Sequence, residues 1–184
     1  PKPSIGVVIP NYNYAGYLPS RVDSVLAQTN RPDQVFLLDD RSTDDSAAVI
    51  GDIAAAHRPF IATVFNEVNS GSPFVQWRAG AELCSTKCVW IAEADDLADA
   101  KFLEKTVAFM EEHGCDLCFT DSSQIDRDGT LLAKSYDYYL RTVDPTAFEK
   151  SFVMGGRDFL RRMLSQKNVI LNVSSVLWKR AALL

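Results

Sequence analysis

The sequence contains no apolar run approaching the length of a membrane-spanning helix. It has no excess of positive charge: its 184 residues carry a formal net charge of −5, which argues against nucleic acid as the main partner. No G-x-G-x-x-G follows the first predicted strand, so a dinucleotide-binding dehydrogenase is poorly supported. Internal repeats, low-complexity segments and an obvious linker are all missing. Cysteine is sparse, with four residues at positions 84, 88, 115 and 118. The C-x₃-C and C-x₂-C spacings admit a zinc site, but Cys115 and Cys118 fall on a predicted strand, where residues three apart face opposite ways. Buried free thiols are the better expectation and fit a reducing, cytoplasmic location. The start, Pro1-Lys2-Pro3-Ser4, shows no secretory leader and no initiator Met, from which an excised or processed segment is expected.

What is present is an ordinary globular composition, 47% hydrophobic and 23% charged, in a chain long enough for one domain with a substantial core. Its most informative feature is an apolar run, Cys88-Val89-Trp90-Ile91-Ala92, that ends abruptly in Glu93-Ala94-Asp95-Asp96. Such a run reads as a buried strand delivering carboxylates to the edge of a sheet. Hard oxygen ligands there suit Mg²⁺ or Mn²⁺, ions that take one or two protein carboxylates together with a substrate's phosphates. The plainer alternative is a solvated loop whose acids favour a following helix.

Apolar runs and helical spacings alternate along the chain. Strands are predicted at 5–9, 35–38, 60–65, 88–92 and 115–120. Helices are predicted on Leu18, Val22, Val25 and Leu26, on Val49, Ile50 and Ile53 after a start at Ser42-Thr43-Asp44-Asp45, over Pro73 to Leu83, and on Phe102, Leu103, Val107 and Met110 up to Gly114. This alternation predicts an α/β fold, a mostly parallel Rossmann-like sheet with helices on both faces. In such sheets ligands bind beyond the carboxyl ends of the strands. Asn11-Tyr12-Asn13, Asp39-Asp40 and Glu93 to Asp96 all lie at such ends. After Asp121 the pattern changes. A hairpin is expected around Asp126-Arg127-Asp128-Gly129, an ordered loop at Tyr136 to Tyr139, a helical stripe on Phe159, Leu160, Met163 and Leu164, and extended chain from Val169 to Trp178.

These residue types suit a nucleoside-diphosphate site. Tyr12 could stack on a base. A carboxylate at Asp39 or Asp40 could accept from a uracil or thymine imide or from ribose hydroxyls. Asn69-Ser70-Gly71-Ser72 precedes a helix, and its backbone N–H groups could meet phosphate or ribose oxygens. Arg78, on that helix, could approach a diphosphate, although a solvated arginine is the ordinary alternative. Asp95 and Asp96 could hold a divalent ion that neutralises charge on a departing diphosphate.

In order and spacing, Val7-Val8-Ile9-Pro10-Asn11-Tyr12-Asn13, Leu38-Asp39-Asp40-Arg41-Ser42-Thr43-Asp44 and Trp90-Ile91-Ala92-Glu93-Ala94-Asp95-Asp96 resemble family 2 of the glycosyltransferases, which has the GT-A fold. Asn69 to Trp77, Ser123-Gln124-Ile125-Asp126 and Lys167 to Ser174 resemble a bacterial branch that builds cell-surface polysaccharide. The resemblance implies inverting transfer from a UDP or dTDP sugar to a glycan or lipid-linked acceptor. It implies nucleotide contacts from Pro10, Tyr12, Asn13, Asp39, Asp40, Asn69, Gly71, Arg78, Glu93 and Asp95, and metal contacts from Asp95 and Asp96, with Mn²⁺ or Mg²⁺ as cofactor. Glu93 stands where the family often has Asp. The nucleotide-sugar part is expected over 1–121 and an incomplete acceptor-side part over 122–184 of a single domain. The catalytic base is expected beyond Leu184, with Asp121 and Asp158 as substitutes that can be named within the chain.

Other readings make different demands. A non-catalytic nucleotide- or glycan-binding module would need the same site without the base. A phospho-receiver domain should carry its acidic pair after the first strand, where this chain has Pro10-Asn11-Tyr12. A sugar-phosphate nucleotidyltransferase should show a Gly-rich basic loop near its start. Arg157, Arg161, Arg162 and Lys167 offer a basic face to an anionic membrane, which would put the protein at the inner face of the membrane; the alternative is a core-packed helix with a solvated basic side.

Overall fold

The computed structural model describes residues 2–184. Eight strands and seven α-helical segments follow in the order β1 (Ile5–Asn11), α1 (Leu18–Leu26), β2 (Gln34–Asp39), α2 (Ser46–Ala56), β3 (Ile61–Phe65), α3 (Pro73–Leu83), β4 (Cys88–Ile91), α4 (Phe102–His113), β5 (Leu117–Phe119), β6 (Gln124–Ile125), β7 (Leu131–Ala133), α5 (Asp137–Leu140), α6 (Gly156–Phe159), β8 (Val176–Lys179) and α7 (Arg180–Leu183). The fold is α/β, as the alternating pattern predicts. The main sheet has the order β3-β2-β1-β4-β8-β5. β1 pairs in parallel with β2 on one side and β4 on the other, β3 continues in parallel beyond β2, and β8 lies antiparallel to β4.

Every residue of β1 is buried, which is what a central parallel strand covered on both faces requires. Its side chains divide by parity. Ile5, Val7 and Ile9 join Leu37, Trp90 and Ala92 in a core built with Leu18, Val22 and Val25 of α1, Ile50 of α2, and Leu103, Val107 and Met110 of α4. Val8 faces the other way, onto α3, where a Cβ on Gly80 would collide with both methyl groups of Val8. α3 starts with Pro73 in its first turn, and Arg180 Nε donates to the Ala81 carbonyl at its far end (2.9 Å). α4 is ended by Gly114 in the left-handed region, φ +67°.

The chain order around β1 positions everything that follows. The first two crossovers step from β1 to β2 to β3, and the chain then returns to the opposite side of β1 as β4. The direction of winding therefore reverses between β1 and β4, the point where open α/β sheets leave a crevice at their carboxyl edge. With strands about 4.8 Å apart, the ends of β2, β1 and β4 fall within about 10 Å of one another.

The chain divides into two compact units. One runs through Cys118 and includes Val176–Leu184; the other is Phe119–Ser175. The tail from Val176 thus returns to the first unit's sheet rather than staying with the segment after Asp121, because β8 completes hydrogen bonding along β4. In the second unit β6 and β7 form the expected hairpin, with Gly129 at φ +82°. Leu140, Met163 and Val169 make a small core there, against which Tyr136, Tyr139, Phe148 and Phe159 pack.

Several local expectations change. The Ser42–Asp45 segment does not begin the helix, which starts at Ser46, because Ser42 is engaged elsewhere. Where an ordered loop is expected at Tyr136 to Tyr139, the chain forms the short helix α5, Asp137–Leu140. The strand predicted over 115–120 shrinks to β5, and 169–172 is not strand. Of the stripe from Phe159 to Leu164 only Met163 is fully buried, and the last five residues wind as a π turn.

Gly80→Val should force the first unit's core apart. We expect a loss of about 1–3 kcal/mol in chemical denaturation, with Gly80→Ala at the lower end.

Candidate functional site

The carboxyl edge of the sheet begins with β2. Asp39 and Asp40 close it, and each is only 4% exposed. Buried carboxylates need hydrogen-bond donors, and both have them. Asp39 Oδ1 accepts from Asn11 Nδ2 (2.8 Å) and Ser42 Oγ (2.6 Å), and Oδ2 accepts from the Ser42 backbone N–H (3.0 Å). Arg41 takes a left-handed conformation, φ +62°, and this turn brings Ser42 back onto the preceding carboxylate. Asn13 is also left-handed, φ +63°, a conformation asparagine tolerates. Its Oδ1 accepts from the Thr43 N–H (2.7 Å), and the Asn13 N–H donates to Ser42 Oγ (2.9 Å). The loop after β1 is thereby stitched to the loop after β2.

Asp40 is the centre of a second clasp. Oδ1 accepts from Asn66 Nδ2 (2.7 Å), the Ser70 N–H (2.9 Å) and Gln76 Nε2 (2.8 Å), while Oδ2 accepts from Ser70 Oγ (2.7 Å). Asn69 Nδ2 donates to the Asp40 carbonyl (2.7 Å), and Asn69 Oδ1 accepts from the Gly71 N–H (2.8 Å), with Gly71 at φ +68°. The backbone N–H groups of Ser70 and Gly71, expected to be free for a ligand, are therefore engaged by Asp40 and Asn69. Asn69 and Gly71 shape the loop that holds Asp40. Arg78 lies on the solvent side of α3, its Nε 2.9 Å from Glu82 Oε1.

The acidic cluster follows β4. Asp95 is exposed, Asp96 half-exposed and Glu93 half-buried. The indole N–H of Trp77, on α3, donates to Glu93 Oε1. Burial pushes the Glu93 carboxyl up to about 7; the Trp77 bond and Arg21 oppose this, and Asp95 and Asp96 add to it. The Tyr14 hydroxyl lies close enough to Asp95 for that carboxylate's charge to be the main cause of its raised pKa. Tyr14 belongs to the loop after β1, and β1 pairs with β4, so the ends of these two strands lie side by side. Tyr12, Tyr14 and Tyr17 keep 39–45% of their surface exposed at this edge. Pro10 is buried in β1 opposite Leu38.

Two participants escape the sequence reading. Arg21, on α1, is 0% exposed and stacks on the indole of Trp90, 4.8 Å from guanidinium carbon to ring centroid. The available sign was a charge at the i+3 position from Leu18, on the same buried stripe as Val22 and Val25. Tyr14 gave no sign beyond its place three residues after the strand.

Among the described residues no three His, Cys, Asp or Glu side chains are disposed to enclose a metal ion. This weighs against a zinc cage from the cysteines, and burial pushes the thiols of Cys84 and Cys118 up to about 11. It is compatible with Mg²⁺ or Mn²⁺ at Asp95 and Asp96, since two adjacent accessible carboxylates are the usual protein share for such an ion beside phosphates. A shallow cavity of about 580 Å³ lined by Leu26, Arg31, Pro32, His57, Arg58 and Phe60 lies elsewhere, beside the start of β3. In the second unit, Asp121 Oδ1 accepts from the backbone N–H groups of Ser122 (2.8 Å) and Tyr136 (3.2 Å), and Asp158 is exposed on α6.

The family model described as glycosyl transferase family 2 matches residues 6–169. TuaG of Bacillus subtilis, a glycosyltransferase whose name assigns it to teichuronic acid biosynthesis, is 32% identical over 133 residues, covering 72% of this chain and 52% of that protein. The chondroitin synthase of Escherichia coli is 27% identical over 139 residues, 74% of this chain and 20% of its own. Among solved structures, Staphylococcus aureus TarS 1-349 in complex with UDP superposes with a TM-score of 0.66 at 17% identity, over 98% of this chain and 48% of its own. The mannosyltransferase PcManGT of Pyrobaculum calidifontis, in complex with GDP-Man and Mn²⁺, gives 0.59 at 20% identity, over 66% and 36%. The chain thus spans about half the length, or less, of the relatives it matches.

The clasp around Asp40 accounts for its burial, so Asp40→Asn should cost about 2–4 kcal/mol in denaturant unfolding, because an amide turns a donor toward donors. The Glu93 shift has a defined sign. A carboxyl raised from 4.5 to about 7 contributes stability fully present below about 4.5 and lost as pH rises through about 7. Ion-free wild-type protein should therefore lose roughly 1–2 kcal/mol relative to Glu93→Gln between pH 5 and pH 8, allowing for solvent screening. Chemical denaturation at the two pH values checks it.

Proposed function

Because the chain belongs to glycosyl transferase family 2, we propose that its first unit binds a nucleoside-diphosphate sugar at the carboxyl ends of β1, β2 and β4, for inverting transfer to a glycan or lipid-linked acceptor in cell-surface polysaccharide synthesis. The observation that carries this reading is the meeting of three strand ends at the reversal point of the sheet, where Asn11 and Asn13 bind the Asp39–Thr43 loop and β4, paired with β1, brings Asp95 near Tyr14. Solved structures of similar fold bound to UDP and to GDP-Man with Mn²⁺ support it. We place the protein at the cytoplasmic face of a membrane, where a lipid-linked acceptor would be met.

The roles follow from the geometry. Tyr12, half-exposed beside the Asp39–Asp40 edge, offers a ring for the uracil or thymine base, with Asp40 fixed nearby to accept from the imide once a donor of its clasp yields. Pro10, Asn13, Asp39, Asn69 and Gly71 hold the two loops in shape around the nucleoside. Asp95 and Asp96 would hold Mg²⁺ or Mn²⁺, which supplies charge neutralisation at the diphosphate. Trp77 fixes Glu93 through its indole N–H, so that carboxylate is placed before a ligand arrives. In an inverting displacement the acceptor hydroxyl attacks the anomeric carbon, the bond to the diphosphate breaks, and the hydroxyl proton passes to a base. We assign that base to no residue of this chain, so donor binding is the activity proposed for it.

Calorimetric titration with UDP and dTDP in the presence of Mn²⁺ tests the reading. The wild type should bind one or both, and an Asp95→Ala/Asp96→Ala double variant should bind at least tenfold more weakly, with EDTA producing a comparable loss in the wild type only. Equal affinity in both proteins would remove the ion from the site. Donor binding without hydrolysis in a longer chain would favour a non-catalytic module.

A further inference from the structure

Arg21 is a charge in a place that ordinarily rejects one. It is fully buried on α1; among the described residues its Nε and Nη2 have no hydrogen-bond partner, and Nη1 reaches only Ser24 Oγ at 3.5 Å. Taking a guanidinium out of water with two unpartnered donors is costly unless other charges offset it. One compensation is the Trp90 ring beneath it. The other is the acidic loop. Trp90 lies three residues before Glu93 on the same strand and its extension, so the guanidinium sits under the root of the cluster. Burial lowers the Arg21 pKa to about 10, opposed by Asp96 first, then Glu93 and Asp95, so it remains cationic at neutral pH.

We infer that Arg21 is a positioning residue acting as a built-in counter-charge beneath the acidic loop, which makes the divalent ion and the donor diphosphate bind as a pair rather than separately. The inference rests on the ion-site reading above. The loop carries up to three negative charges. Arg21 removes one, so a divalent ion alone finds a weaker attraction than three carboxylates would give. Once the ion has bound, the site is close to neutral and accepts a dianionic diphosphate without repulsion. Without Arg21 the bare loop would hold the ion more tightly, and the loaded site would retain surplus negative charge against the diphosphate. The counter-charge has to be buried to do this, because water would screen it from the loop.

The test uses Arg21→Met, which keeps length and packing while removing charge, and Arg21→Lys, which keeps the charge. Mn²⁺ alone is titrated calorimetrically, and UDP is titrated at saturating Mn²⁺. Arg21→Met should bind free Mn²⁺ roughly tenfold more tightly and UDP roughly tenfold more weakly, while Arg21→Lys stays within a few-fold of wild type in both. A purely structural role moves the two affinities together: if both fall, or neither moves, the inference is overturned. Arg21→Gln serves the same comparison should Met at this position prevent folding, which a thermal melt will show. The Asp95→Ala/Asp96→Ala variant in the same titration separates the two readings. Unchanged Mn²⁺ affinity there removes the ion site, and this inference with it; lost affinity there with parallel shifts in Arg21→Met removes this inference alone.

Discussion

A carboxylate withdrawn from water must be surrounded by donors, and at the end of β2 two consecutive carboxylates meet that condition using different parts of the chain. Asp39 recruits Asn11 from β1 and Ser42 from the turn after itself. Asp40 recruits Asn66, Ser70 and Gln76 from the loop and helix that follow β3. Neither set of loops has an apolar core of its own to order it. The left-handed turns at Asn13 and Arg41 are tolerated because these bonds hold them. The rigid sheet ends in a rim that is polar and yet fixed.

The same logic runs differently after β4. There the acids are more accessible, and the groups that steady them come from above and below the sheet: Trp77 from α3 on the Val8 face, Arg21 from α1 on the opposite face, and Tyr14 from the loop after β1. The contrast separates two kinds of carboxylate at one edge. Those of β2 are satisfied by donors within the protein and hold the loops in place, Asp40 turning, in the proposed reading, to a nucleobase only when one of those donors yields. Asp95 and Asp96 after β4 are the more accessible pair, which is what a hard cation requires.

Much of this was legible in the chain itself. The parallel α/β architecture follows from alternating periodicities, and helix α3 falls on the residues that its Pro start and apolar spacing define. The clustering of polar residues at strand ends was visible because a buried strand that stops in Asp or Glu leaves few other readings. What could not be read was which acid is a strut and which is open, since that depends on donors about 30 residues away. Ser42 illustrates the difficulty: local chemistry makes it a helix cap, but Asp39, three residues back, accepts its hydroxyl instead. Arg21 was hidden for a related reason. On a helical wheel it merely interrupts an apolar stripe, and only the fold sets Trp90 against it. The return of β8 to the first unit was also unforeseen, because nothing in a four-residue strand specifies a partner so distant in sequence.

That return carries a consequence for how the molecule is made. The strand beside β4 comes from Val176–Leu184, which follow the whole of Phe119–Ser175 in the chain. During synthesis the ribosome completes β1 to β4 and must then emit the second unit before β8 can dock. Until then β4 presents unpaired amides along one side, a template for intermolecular pairing. The interval between making β4 and making β8 is therefore the period in which a nascent chain has most need of a chaperone. Any cut that removes Val176–Leu184 would make that transient exposure permanent.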